Sequence, residues 1–246
     1  MTASPADRAG LVHAAVERLY TTFRDYPPRP AMPVCAHCVT ADEVVALLAQ
    51  PPRSTEGKRL ARYATKAVTT WGDADDLRRL LPRLCELAAT GDDNVELGVV
   101  AAKLRWAGWL RWPPDEQAAV FDLLEALWLR ELTGWPAVHP APALVHAVAA
   151  AVDDLRPFLD EWHLLLGTSG SERDAAVHHL ADLVTAWRPR LAAGTIGRRL
   201  SAWLRGPTIH IQLERAAFDF AGSSLGERAR RAAEALAGNH HATATI

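Results

Sequence analysis

Asp73-Ala-Asp-Asp-Leu-Arg-Arg-Leu-Leu-Pro-Arg-Leu-Cys-Glu-Leu-Ala-Ala-Thr-Gly91 settles the class of the fold. Asp73 and Asp76, three residues apart, are placed to cap the start of a helix and to complement its N-terminal dipole. Leu77, Leu80, Leu81, Leu84 and Leu87 then return every three or four residues, which makes one side of a 3.6-residue helix apolar. Gly91 supplies the residue that tolerates a left-handed stop. Pro82 falls inside the stripe and lacks an amide hydrogen, so the spacing predicts a kink or a break there.

The same grammar extends in both directions. Upstream, Leu60, Tyr63, Ala64, Ala67, Val68 and Trp71 form a stripe closed by Gly72. Thr40 and Glu43 make a capping box before Val44, Val45, Leu47 and Leu48, and Pro51-Pro52 ends that helix. Leu11, Ala15, Leu19 and Phe23, with Val12 and Val16, are the first stripe. It is opened by Ser4-Pro5-Ala6-Asp7 and stopped by Tyr26-Pro27-Pro28-Arg29-Pro30. Downstream, Asp92, Asp93 or Asn94 can cap a helix running to about Trp109. Further stripes follow Pro113-Pro114, Pro140 to Pro142, Pro157, the loop Gly167-Thr-Ser-Gly170, and Pro189. Ser224 and Glu227 form a last capping box, whose helix reaches about Ala237.

One segment departs from the pattern. Thr208-Ile-His-Ile-Gln-Leu213 alternates with a period of two, yet no second strand exists to pair with it. It is read as a helix or an extended segment. The sum is an all-α chain of about eleven helices with short connections, hence antiparallel neighbours. The architecture expected is a set of irregular helical hairpins, either a solenoid similar to the HEAT and armadillo class or an orthogonal bundle. One domain is expected over 1–238, with a proline-rich loop at 26–39 and a flexible tail at 239–246.

Composition narrows the function classes. With 246 residues, 49% of them hydrophobic, the chain can bury a core without disulfides, and its three cysteines are an odd number. A net charge of −2 argues against nucleic acid as partner. There is no run of about 18 apolar residues to span a bilayer, and the start lacks the pattern of an export signal, so a cytoplasmic protein is expected. Of the basic residues only Lys58, Lys66 and Lys103 are lysines, a bias of the kind that GC-rich coding produces.

Cys35-Ala-His-Cys38-Val39, Tyr63-Ala-x-Lys66-Ala67, Thr70-Trp71-Gly72-Asp73 and Leu81-Pro82-Arg83 together resemble an uncharacterised group of bacterial helical proteins. The resemblance covers roughly residues 15–130 and implies an intact helical domain, with no chemistry attached.

Three sets of residues could carry function. Cys35 and Cys38, with His37, His13 or Cys85 to complete the set, have the spacing of a zinc loop. The same pair could act as a redox dithiol if a helix N-terminus lowered one thiol pKa. Asp160 with His163, Asp174 with His178, and His179 with Asp182 place acid and imidazole on one helix side. Bundle enzymes with two iron or manganese ions use such pairs, and Asp174-x-x-x-His178 resembles one ligand pair of the haem-oxygenase-like di-metal oxidases. Finally, Trp106, Trp109 and Trp112, beside Arg105 and Arg111, are spaced to line a partner-binding surface, and Trp and Arg dominate interface hot spots. A protein-interaction module, an adaptor or an immunity-type inhibitor, is the first functional expectation. A metal-dependent enzyme in an all-α bundle is the second.

Overall fold

Asp73 begins the helix that organises the first half of the chain. Its carboxylate accepts the amides of Asp75 and Asp76 at 2.9 and 3.2 Å, and the Asp76 carboxylate accepts the Asp73 amide at 3.0 Å. Asp73 caps the helix as expected, and the structure makes the cap reciprocal. The helix, α4 (Ala74–Thr90), ends on left-handed Gly91 and runs unbroken through Pro82. Leu77, Leu80, Leu81 and Leu84 are sealed from water, each contributing about 1.5–3 kcal/mol relative to exposure.

The structure is a computed structural model that describes residues 5–29, 31–186 and 194–243. It is all-α: 73% helical, without strands among the described residues. Before α4 come α1 (Pro5–Thr22), α2 (Ala41–Leu48) and α3 (Gly57–Lys66). After it come α5 (Leu97–Trp106), α6 (Pro114–Thr133), α7 (Ala141–Ala151), α8 (Arg156–Leu166), α9 (Ser171–Ala186), α10 (Gly194–Leu204), α11 (Pro207–Asp219) and α12 (Ser224–Thr243). Two 3-10 turns, Pro52–Ser54 and Trp109–Arg111, lie between them. Among the described residues no helix is long and apolar enough to cross a membrane.

Where one domain is expected from the sequence, the contacts divide the chain into two compact units, 1–127 with 150–152 and 128–149 with 153–246. In the first, α4 touches α1, α3, α5 and the Pro52–Ser54 turn. In the second, α9 touches α8, α11 and α12, and it buries Ala175, Ala176, Val177, Leu180, Ala181 and Leu183. Trp128, Phe158, Trp162 and Trp203 form a chain of ring contacts there, centroids 5.4 to 5.6 Å apart. Ion pairs join separate segments of this unit, as Arg173 pairs with Asp219, Arg199 with Asp154 and Arg228 with Asp182.

Several boundaries differ from expectation for local reasons. The stripe read through to Trp71 stops at Lys66, because Val68, Thr69 and Thr70 are a β-branched run that disfavours helix. Val68 there takes a left-handed φ of 65°, a costly conformation for a β-branched residue. The helix expected to reach Trp109 ends at Trp106, since Gly108 is left-handed and starts a 3-10 turn. The final helix continues through Thr243 rather than yielding a tail from 239, with Gly238 inside it. Ser4, Trp187, Pro189 and Leu191 lie outside the described residues.

The alternating segment is helical. Gly206 is extended, Pro207 sits in the first turn, and Ile209, Leu213 and Ala216 point inward at intervals of four and three. Ile211 is then on the opposite side, exposed. Accordingly, Ile209→Ala is expected to lower stability in urea unfolding by about 2–5 kcal/mol, whereas Ile211→Ala changes it by less than about 0.5 kcal/mol. Equal losses at the two positions would contradict the helix.

Candidate functional site

In the first unit the proline pairs that stop helices come together. The end of α1 delivers Tyr20, Phe23 and Arg24, and the connection that follows delivers Tyr26, Pro27 and Pro28. Pro51, Pro52 and Arg53 arrive from the 3-10 turn, and Arg79 and Pro82 from the middle of α4. They line an open pocket of about 420 Å³. Its lining holds three guanidinium groups and no carboxylate.

Both tyrosine hydroxyls are committed as donors. Tyr20 donates to Glu86 at 2.6 Å and Tyr26 to Glu116 at 2.5 Å. Burial first, and then the carboxylate each hydroxyl serves, raises both phenols, that of Tyr26 to about 12. Behind Tyr26, Arg78 lies 4.2 Å above the Trp112 ring and 5.5 Å from the Tyr26 ring. It also binds Glu116 at 2.9 Å and Asp75 at 2.8 Å. Arg53 stacks on Tyr20 and pairs with Glu17. These contacts fix the aromatic wall.

Arg79 is different. It is 8% exposed, and its Nη1 is buried with no hydrogen-bond partner among the described residues. Burial pulls its pKa down, opposed by the fields of Asp76 and Tyr63. An unsatisfied buried donor on a charged group costs about 1–3 kcal/mol or more, so Arg79 brings an incompletely satisfied cation to the pocket's wall.

The tryptophan surface expected from the sequence is not formed as such. Trp109 is fully buried and donates to the Ala151 carbonyl at 2.8 Å. Trp112 is buried against Phe23 and donates to the Ala107 carbonyl at 3.1 Å. Trp106, at 70% exposed, stands in solvent, with Arg105 and Arg111 also exposed. The turn at Gly108 rotates the later two indoles inward, so they serve the core and are corrected from partner contacts to packing residues.

Cys35 and Cys38 face each other across a turn in which the amides of Cys38 and Val39 both donate to the Cys35 carbonyl, at 2.8 and 3.0 Å. The neighbouring Cys38 thiol first, then the His37 backbone and the charge of Lys66, pull the Cys35 thiol down, and Cys38 is pushed up in return. Among the described residues no three His, Cys, Asp or Glu side chains are grouped to hold a metal ion, so neither this pair nor the acid–histidine pairs gain a third ligand. Cys85 is buried in the core, with its thiol raised to about 12 by desolvation.

The acid–histidine pairs have other tasks. Asp160 is exposed and His163 half-buried on α8. On α9 Asp174 is half-buried, and Asp182 is bound by Arg228. His178 stacks on Trp135 with centroids 4.3 Å apart and planes within 5°. His179 is buried, with Nε2 2.9 Å from the Gly134 carbonyl. Burial lowers both imidazoles, that of His178 to about 4.

Sequence reasoning missed Arg79, Tyr20 and Tyr26. The only signal was that two Pro-Pro pairs and a mid-helix proline recur close to aromatic residues, and these were read as helix stops. No family model, curated protein or solved structure matches the chain.

The lowered imidazoles set a pH dependence. Between pH 6.5 and about 4 the unfolded chain takes up the His178 proton while the folded chain does not. Stability is therefore full above pH 6.5 and falls as the pH drops towards 4. In His178→Phe, which keeps a ring on Trp135, urea unfolding across that window should show a shallower decline than in the unaltered protein. An unchanged slope would contradict the assignment.

Proposed function

We propose that the protein is an interaction module, an adaptor or an immunity-type inhibitor, that seizes an anionic segment of a protein partner in the proline–tyrosine–arginine pocket of its first unit. One observation carries the reading: Arg79 lines a pocket without carboxylates, and its buried Nη1 has no hydrogen-bond partner among the described residues. The aromatic and proline rings offer flat apolar surface for the ligand's body, and the guanidinium offers a directional charge for its head. A short segment with a carboxylate or phosphate beside an apolar side chain combines the two.

The test uses fluorescence anisotropy with fluorescein-labelled peptides that place a glutamate, a phosphoserine or a free terminal carboxylate beside an aromatic residue. Glutamine, serine and amide counterparts serve as controls. The anionic peptides should bind and the neutral ones should not, with affinity falling as salt rises. Arg79→Met should weaken binding by about 10–100-fold, the loss of a hydrogen bond to a charged group. The same variant should unfold at an equal or higher urea concentration, because it removes an uncompensated buried charge. Equal binding of neutral peptides, or unchanged affinity in Arg79→Met, would overturn the proposal.

A further inference from the structure

The cysteine pair takes no part in the pocket, and it is held more firmly than a connecting loop requires. The Cys35 amide donates to the Thr70 carbonyl at 2.9 Å, the Gly72 amide to the Pro33 carbonyl at 2.7 Å, and Val34 forms an isolated antiparallel bridge with Trp71. On its other side the Cys38 carbonyl accepts from Arg62 at 3.0 Å and from the Lys66 ammonium. The clamp itself is strained, since Val68, whose amide donates to the Trp71 carbonyl, is the left-handed valine. Strain of this kind costs about 1–3 kcal/mol and persists where the surroundings impose it, commonly at functional sites. Two half-exposed thiols carried three residues apart on one hydrogen-bonded turn, with a cation held at that turn by the Cys38 carbonyl, make an arrangement that can close and open an S–S bond with little backbone movement.

We infer that Cys35 and Cys38 are a thiol–disulfide exchange site, oxidised reversibly by a low-molecular-weight disulfide. The Cys35 thiolate attacks one sulfur of that disulfide, forming a mixed disulfide and expelling the first small thiolate, which takes up the proton Cys35 lost. The Cys38 thiolate then attacks the Cys35 sulfur, forming the Cys35–Cys38 bond and expelling the second small thiolate, which takes up the Cys38 proton. Two electrons pass from the protein sulfurs to the small disulfide, and two small thiols leave. Cys35, at the start of the turn with its thiol drawn down by Cys38 and the His37 backbone while Cys38 is pushed up, is the attacking group. Cys85, buried in the leucine side of α4, is the internal control.

The full chain is incubated with glutathione disulfide at pH 7, quenched by alkylation and analysed by intact and peptide mass spectrometry. The expected product is the Cys35–Cys38 disulfide with Cys85 still a thiol, restored to the dithiol by excess glutathione. Cys38→Ser should accumulate one glutathionyl group on Cys35, and Cys35→Ser should accumulate at least tenfold less on Cys38 in the same time. Lys66→Met should slow the mixed disulfide several-fold and Lys66→Arg restore it, with circular dichroism confirming that each variant is folded. Oxidation no faster in the folded chain than in urea, equal trapping by the two serine variants, or comparable oxidation of Cys85 would each overturn the inference.

Discussion

Exclusion of water from the leucine stripe of α4 is the constraint from which the first unit follows. Because α1, α3, α5 and the Pro52–Ser54 turn all close on this helix, little of it is left facing solvent. Hydrophobic burial decides where the helix goes, and polar residues caught on the covered sides must find partners or remain without them. Asp76 finds one in the Asp73 amide. Arg79 is carried under with its charge. The pocket thus owes its cation to the packing of the leucines around it.

The helical class, the capping of α4 by Asp73 and the inward stripes were legible in the sequence, because each rests on neighbours within one or two turns. Helix ends were less so. At Lys66 a β-branched run outweighs a continuing apolar stripe, and at Gly108 one left-handed residue sends Trp109 and Trp112 into the core while leaving Trp106 outside. The period-two alternation of Ile209, Ile211 and Leu213 left helix and extended segment open, because residues four apart also share a helix side and an exposed isoleucine between them costs the fold little. The pocket could not be read at all. Pro27-Pro28, Pro51-Pro52 and Pro82 meet only through tertiary packing, and local patterns carry no record of that meeting.

In the second unit three of the acid–histidine residues, His178, His179 and Asp182, face an indole, a carbonyl and an arginine. His178 is held neutral against Trp135, and Asp182 is neutralised by Arg228. Ion pairs between separate segments, Arg173 with Asp219 and Arg199 with Asp154, join the same unit.

The connection after α1 is tethered along its length. Tyr26 donates to Glu116, Arg29 pairs with Asp73 and Asp75, and the backbone at Pro33 and Cys35 bonds to Gly72 and Thr70. A segment this rich in proline, anchored at these points, has surrendered most of its conformational freedom during folding. The wall it contributes to the pocket is therefore preorganised: a ligand arriving there need not supply the entropy of ordering it, and more of the contact energy remains as affinity.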